Sequence, residues 1–431
     1  MSGAKLFNFV RQNASGNFKE VVPKANDGNI SDIANILFND AYQPLLNEFV
    51  SNLINRIGLT IIRNKSYNNP LALLKKGSTP LGTDIQDLYE NPAEAEQYAI
   101  NNEEMAKLLT ITDPDTKVAY YRRNRKDLYT KTIAREALQG AFVSWKKFEG
   151  YIGMITQSLY SGCYIDEFKY TKGLVAGAFA NNKAIYEKVT AVTDVSTAEA
   201  FVLKARDIFD GMTFPSEDYN AYSKMSGDAK KVTTWTDPSR IVLLIRADVL
   251  NKVSVKVLAA AFNMKEADFM GRVIKVDKFD DDDKVLGVIC DEAFFQIYDN
   301  IFRFDEFYNA RTMSWNEYLH VWETFAICPF ANAVIFSTDD PDVPATAVTV
   351  SKSTVSVAES ATATVDVTLT PLQSTATLSV SSSAEAKATA TISNGVVTIT
   401  GVDAGSATIT VTATNSDAST ATATIAVTVT Q

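Results

Sequence analysis

Apolar positions along this chain follow three rhythms. From Thr132 to Tyr160 they fall at Ile133, Ala137, Leu138, Ala141, Phe142, Trp145, Phe148, Ile152, Ile155 and Leu159. Steps of three and four over about 28 residues predict one amphipathic helix, about 42 Å long at 1.5 Å per residue. Gly140, Gly150 and Gly153 weaken it or let another segment approach closely. Between Trp235 and Ser337 the runs "IVLLIRADVL", "GRVIKVDKF", "KVLGVICDE" and "AFFQIYDN" read as strands, with helix-like "SVKVLAAAFNM" and "KEADFM" after the first. Strands and helices mixed in this way predict an α+β body rather than an alternating βαβ array. From Thr346 to Gln431, β-branched and small residues alternate with period two, and Asn394-Gly395 joins "ATIS" to "VVTIT" as a hairpin dipeptide that accepts positive φ at both central positions. That tail predicts a small antiparallel all-β sandwich.

Composition places a boundary between the two parts. Beyond Thr346 there is no Phe, Trp, Tyr or Arg, whereas aromatics are dense upstream. Pro341 and Pro344 mark residues 341–345 as an extended linker, with a body over 1–340 and a sandwich over 346–431. Near the other end, "IGLTII" leads through "KSYNNP" and "LKKGSTPLG" to "TDIQDLY", punctuated by Asn, Pro and Gly. These residues read as a long hairpin with little apolar surface of its own, an arm that packs on a neighbour. A formal charge of -10 argues against a protein that coats nucleic acid, which needs a basic surface to displace counterions. It allows one that encloses DNA and touches it locally. No apolar run is long enough for a signal segment or a membrane span, so no membrane partner is expected. Cys163, Cys290 and Cys328 have neither zinc nor disulfide spacing and suit a reducing compartment.

Candidate chemistry is sparse. The only histidine, His320, lies in "WNEYLHVWETFAICPFANAVIF", Trp315 to Phe336, beside Glu317 and Glu323. Aromatic and β-branched residues make this a strand. His320 then shares a face with Tyr318, Trp322 and Thr324, while both glutamates, three residues away, point to the other face. No triad assembles within the segment, and His320 is expected to be packed on a central aromatic strand. The acidic run at Asp280 to Lys284 lacks the spacing and glycine of a calcium loop and reads as a hairpin tip between "RVIKVDKF" and "KVLGVIC". "YYRRNRKDLY" interleaves aromatic residues with Arg122, Arg123, Arg125 and Lys126, a candidate contact to DNA or to another subunit. No phosphate loop, nucleophile elbow or zinc motif is present. We therefore expect no catalytic residue, no cofactor and no metal.

Four runs carry a resemblance to a known family: "RIGLTIIRNKSYNNPLALLKKGSTPLG", "RNRKDLYTKTIAREALQGAFVSW", "VSVKVLAAAFNM" and above all "YLHVWETFAICPFANAVIF". Together they resemble the major capsid proteins of small phi29-like podophages. The tail run "ISNGVVTITGVDAGSATITVTAT" resembles the bacterial immunoglobulin-like group 2 (BIG2) family, though the usual core tryptophan is missing and the strand before it reads "TATLSVSSS". The first resemblance implies the Hong Kong 97 capsid fold. It assigns an N-terminal arm to 1–54, an E-loop reaching over a neighbour to 55–105, and a spine helix to 130–161. The axial (A) domain takes about 190–300, and residues 301–337 return to the peripheral (P) domain. It makes Lys75 and Lys76 candidate inter-subunit contacts on the E-loop. The implied partners are copies of the chain itself, a scaffolding protein, a portal at one vertex and packaged double-stranded DNA, in a virion assembled in the host cytoplasm. The implied function is a shell-forming head protein of a tailed phage with the immunoglobulin-like module outside. The alternative is a surface-adhesion protein that uses that module to bind cell wall or glycan.

Overall fold

The computed structural model describes residues 3–53, 67–93, 95, 114–226, 231–253, 272–279 and 283–431. The chain divides into two compact units. One comprises Met1–Leu88, Val118–Thr171 and Phe295–Ile327, the other Tyr89–Lys117, Lys172–Phe294 and Cys328–Gln431.

The first unit is built on a four-stranded sheet of order β1 (Lys75–Ser78), β9 (Phe295–Asn309), β10 (Ser314–Ile327), β4 (Arg125–Ala134). β10 lies antiparallel to both β9 and β4, and β1 runs parallel to β9. Trp315, Leu319 and Val321 alternate onto the buried face of β10, as a period of two requires. Helices cover that face, and the segment 1–54, assigned by resemblance to an N-terminal arm, supplies several of them. Helices Gly3–Gln12, Gly16–Val21 and Ile30–Leu37 and a helical stretch at 43–53 bury Leu6, Phe7, Val10, Phe18, Ile33, Leu37 and Phe49. Apolar residues at helical spacing, not extended chain, explain why this segment packs on its own body. Phe7 and Phe49 lie 5.0 Å apart and Phe142 and Phe148 4.7 Å apart in the same aromatic cluster.

The predicted helix over 132–160 (130–161 by resemblance) is also corrected. Residues up to Ala134 are strand β4, a short helix spans Arg135–Ala141, and the long helix spans Trp145–Ala180. In β4 the residues Arg125, Asp127, Tyr129 and Ile133 alternate inward, a period of two that the accidental four-residue step from Ile133 to Ala137 conceals. Ser144, whose Oγ accepts from the Lys147 N–H, starts the long helix. Asn182, with a left-handed φ of 51°, ends it. Thirty-six residues make it about 54 Å long. Its buried stripe runs through Phe148, Ile152, Ile155, Leu159 and Cys163 to Glu167.

The second unit holds a five-stranded sheet of order β5 (Ile185–Lys188), β11 (Ala333–Ser337), β8 (Val285–Asp291), β6 (Ile241–Arg246), β7 (Val273–Val276). All seven residues of the central strand β8 are buried. Helix Val195–Met212, begun by an Asp194–Thr197 capping box, packs on the sheet, with Phe201 5.0 Å from Phe336. Three expectations are corrected here. "IVLLIRADVL" is strand only to Arg246, then helix Ala247–Lys252. β7 and β8 do not form a hairpin, because both pair with β6 between them. The return over 301–337 is split: β9 and β10 belong to the first unit from Phe295, and β11 joins the five-stranded sheet. The "SVKVLAAAFNM" and "KEADFM" insert and Asp280 to Asp282 lie outside the described residues.

The tail forms two four-stranded sheets. One has the order β12 (Ala347–Val350), β14 (Thr362–Thr370), β17 (Val396–Gly401), β16 (Ala388–Ser393). The other has the order β13 (Thr354–Ala358), β19 (Thr420–Thr430), β18 (Gly405–Thr414), β15 (Thr377–Ser382). Between them Val365, Val397, Ile399, Ile409, Val411, Ile425 and Val427 are buried, an aliphatic core without any aromatic residue. The sandwich is not wholly antiparallel, since β13 runs parallel to β19. Asn394 and Gly395 have φ of 49° and 76°, as the hairpin expectation required. Linker residues are tied to the sandwich: Ala345 N–H donates to Asn415 Oδ1 at 2.6 Å, and Asn415 Nδ2 donates to the Ala345 carbonyl at 3.1 Å.

Candidate functional site

The residue following the "ALL" turn, Lys75, begins β1 at the base of the predicted arm, and its ammonium enters a buried set of carboxylates. Its Nζ lies 2.7 Å from Glu323 Oε1 on β10, 2.9 Å from Asp299 Oδ1 on β9 and 3.0 Å from Glu167 Oε2 on the long helix. On the other side of Glu323 sits the buried Arg125 of β4, which pairs with both Glu323 and Asp127. Arg125 Nη2 also donates to Tyr129 Oη at 2.8 Å. Asn69 Nδ2 donates to the remaining oxygen of Glu167 at 3.1 Å. The pairing of β10 with β9 shifts register between Trp322 and Glu323, and Glu323, Thr324 and Phe325 beside the shift are all buried.

The electrostatics follow from this crowding. Burial lowers the Lys75 ammonium, but Glu323, Glu167 and Asp299 more than offset it and leave it above the ordinary lysine value. Arg125 behaves alike, with burial opposed by Glu323 and Asp127. Burial raises the Glu323 carboxyl, while Lys75 and Arg125 pull it down. One acid between two cations thus joins β1, β4, β10 and the long helix. Such a cluster contributes more to specificity of position than to net stability, because desolvation consumes most of the Coulomb attraction.

The expected contact residues separate here. Lys75 and Arg125 are paired within their own chain, and Lys76 is an exposed residue of β1. Arg122 Nε lies 2.8 Å from Asp84 Oδ2. Arg123 sits 4.7 Å above the Trp322 ring with its Nε unpartnered, and Lys126 sits 5.5 Å from the same ring. An open pocket of about 450 Å³ is lined by Arg123, Asn124, Arg125, Lys126, Asp127, Tyr170 and Phe325. His320 lies on the inner strand β10, as expected, but it is only half-buried there, on the face opposite Trp315, Leu319 and Val321. Parity did separate it from Glu317 and Glu323, and its neighbour is Asp305 of β9 at 3.5 Å. The three cysteines are buried and in no disulfide, and burial pushes the Cys163 thiol up to about 12. Among the described residues no group of His, Cys, Asp and Glu is placed to hold a metal, and no helix is long and apolar enough to cross a membrane.

The described part of the arm is a two-stranded ribbon of β2 (Ile85–Glu90) and β3 (Thr116–Tyr121). Of the hairpin read from "IGLTII" to "TDIQDLY", the first run lies within residues 54–66, outside the described residues; the second is β2, which pairs with β3. Tyr121 Oη donates to Asp87 Oδ2 at 2.7 Å. Leu88, Val118 and Tyr120 are 59%, 41% and 63% exposed. Tyr89 of β2 stacks on Phe330 at 5.5 Å, while the exposed apolar side chains of the two-stranded ribbon have no such cover among the described residues. The sequence missed Glu167, Asp299 and Asp127 as partners. It did hold one signal: Glu323 carries the parity of Trp315, Leu319 and Val321, and an acid among those residues must either pair with a cation or hold its proton.

Known proteins match both parts. The family model described as Phi29-like phage major capsid protein matches residues 7–337, and that of the bacterial Ig-like domain (group 2) matches residues 344–425. The major capsid protein of Bacillus phage B103 is 35% identical over 347 residues, covering 79% of this chain and 74% of that one. That of Bacillus phage GA-1 is 32% identical over 344 residues, covering 78% and 70%. Among solved structures, the capsid of Staphylococcus phage Andhra superposes with a TM-score of 0.53 at 14% identity, over 64% of this chain and 85% of that chain. A head structure of bacteriophage P68 gives 0.50 at 15% identity, over 64% and 86%. At these identities the structural likeness speaks for the fold.

Proposed function

The chain belongs to the Phi29-like phage major capsid protein family and carries a bacterial Ig-like domain of group 2, and from that premise we propose how its parts divide the work of building a phage head. Its body has the Hong Kong 97 type of capsid fold. Copies join as pentamers and hexamers into a closed icosahedral or prolate shell around double-stranded DNA, with a scaffolding protein during assembly in the host cytoplasm and a portal at one vertex. The protein acts by occupying a lattice position and performs no reaction. The Ig-like domain stands on the outer surface.

The family match across residues 7–337 carries this reading. Local geometry supports it. The β2–β3 ribbon exposes Leu88, Val118 and Tyr120, which a neighbouring copy would cover, and the Lys75 cluster holds the base of the arm on its own body. Of the four basic residues of "RRNRK", Arg123 and Lys126 rest on Trp322, which supports them as contacts to a neighbour's carboxylate or a DNA phosphate. The test is expression of the full chain with and without a scaffolding protein, read by sedimentation and electron microscopy. Closed shells or capsomers are expected. A monomer that never associates sinks the reading and leaves adhesion through the Ig-like domain, which the group 2 match favours, as the function.

A further inference from the structure

Strands β9 and β10 carry a second set of acids that the assembly reading does not use. Glu306 and Glu317 are register partners across the β9–β10 pair. Their side chains belong to the face that carries Phe304, Tyr308, Trp315 and Leu319 into the core. Side chains directly opposite on antiparallel strands stand about 5 Å apart at Cβ, so two carboxylates there repel each other. Glu317 is 1% exposed. Glu306 Oε2 and Glu317 Oε1 are both buried without a hydrogen-bond partner. Two ionised acids in that position would face a desolvation cost and mutual repulsion with no compensating cation.

The surroundings supply none. Lys131 of β4 is the register partner of Glu317, yet it is exposed. On the helical stretch 43–53 the charged residue is Glu48, which accepts from Ser15, and Asn47 accepts from the Trp315 indole. The long helix presents Tyr151, Tyr160 and Tyr164 to this core, and β9 adds Tyr308. Arg303, Asp305 and His320 lie at the opposite parity of their strands, on the other face of the sheet. Among the described residues no donor reaches either orphaned oxygen.

We propose that Glu306 and Glu317 retain at least one proton between them and act as a pH-sensitive latch on the β9–β10 ribbon, closed when protonated and strained open when both are ionised. The inference goes beyond the shell reading and does not depend on it. Burial moves Glu306 up to about 7, and burial with the neighbouring Glu306 moves Glu317 up to about 8. The unfolded chain releases these protons near the ordinary value of 4.5. The stability they contribute is therefore present in full below that value and is lost as pH rises towards 7 and 8. Within the window each retained proton makes the unfolding equilibrium constant rise about tenfold per pH unit.

The experiment is urea unfolding of the full chain at a series of pH values from 5 to about 9, for wild type, Glu306→Gln, Glu317→Gln and the double variant. The wild-type midpoint is expected to fall across this range, each single variant to fall less, and the double variant to be the most resistant at the alkaline end. Equal slopes in wild type and double variant overturn the proposal, as does a double variant less stable than wild type at the alkaline end. Infrared spectroscopy gives a readout independent of stability. A protonated-carboxyl band should persist in wild type at near-neutral pH, lose intensity in each single variant and lose most in the double variant; its absence from wild type, or equal intensity in wild type and the double variant, also overturns the proposal.

Discussion

Glu323 shows how much one buried charge can organise. It lies between Lys75 and Arg125, one contributed by the base of the arm and one by β4. Replacing it by Gln leaves Lys75 with Glu167 and Asp299, and Arg125 with Asp127, so the loss should sit at the low end for breaking a buried pair, about 3 kcal/mol. Urea unfolding of the full chain measures it. His320 provides the contrast. It is half-buried on the outer face, 3.5 Å from Asp305. His320→Gln should change stability by no more than about 0.5 kcal/mol and leave association unchanged, by the same unfolding measurement and by sedimentation. Side-chain parity, read from the strand alone, was enough to part His320 from Glu317 and Glu323. It could not reveal which of the two faces would be covered, because that depends on helices distant in the chain.

At the scale of elements, local pattern and tertiary pairing competed. The Asn394-Gly395 turn needed no tertiary help, since both residues take positive φ that the dipeptide already favours. Gly395→Ala should cost about 1 kcal/mol, seen as a lower midpoint in the unfolding transition that disappears when the Ig-like domain is deleted. The helix over 132–160 failed for the opposite reason. Ile133 satisfies helical and strand spacing alike, and the pairing of β4 with β10 over ten residues from Arg125 to Ala134 outweighs the local helical preference. The N-terminal segment offers no long periodic run, because its apolar residues come in short helices. Only packing against Phe142 and Phe148 shows that they form one core.

For the whole molecule, the Ig-like domain has its own aliphatic core and its own pair of sheets. Deleting residues 345–431 should therefore leave shell formation intact, checked by sedimentation and electron microscopy; loss of shells would make the domain part of the lattice. The composition change near Thr346, the period-two tail, the α+β body and the family-bearing runs were all legible in the amino-acid sequence, because each depends on residues close together in the chain. Tertiary structure alone decided the partners of Lys75 and Arg125, the division of residues 301–337 between two sheets, and the meeting of Glu306 with Glu317. Those outcomes depend on register and on which face becomes buried. Both are set by contacts between distant segments, and a one-residue slip in register would reverse them.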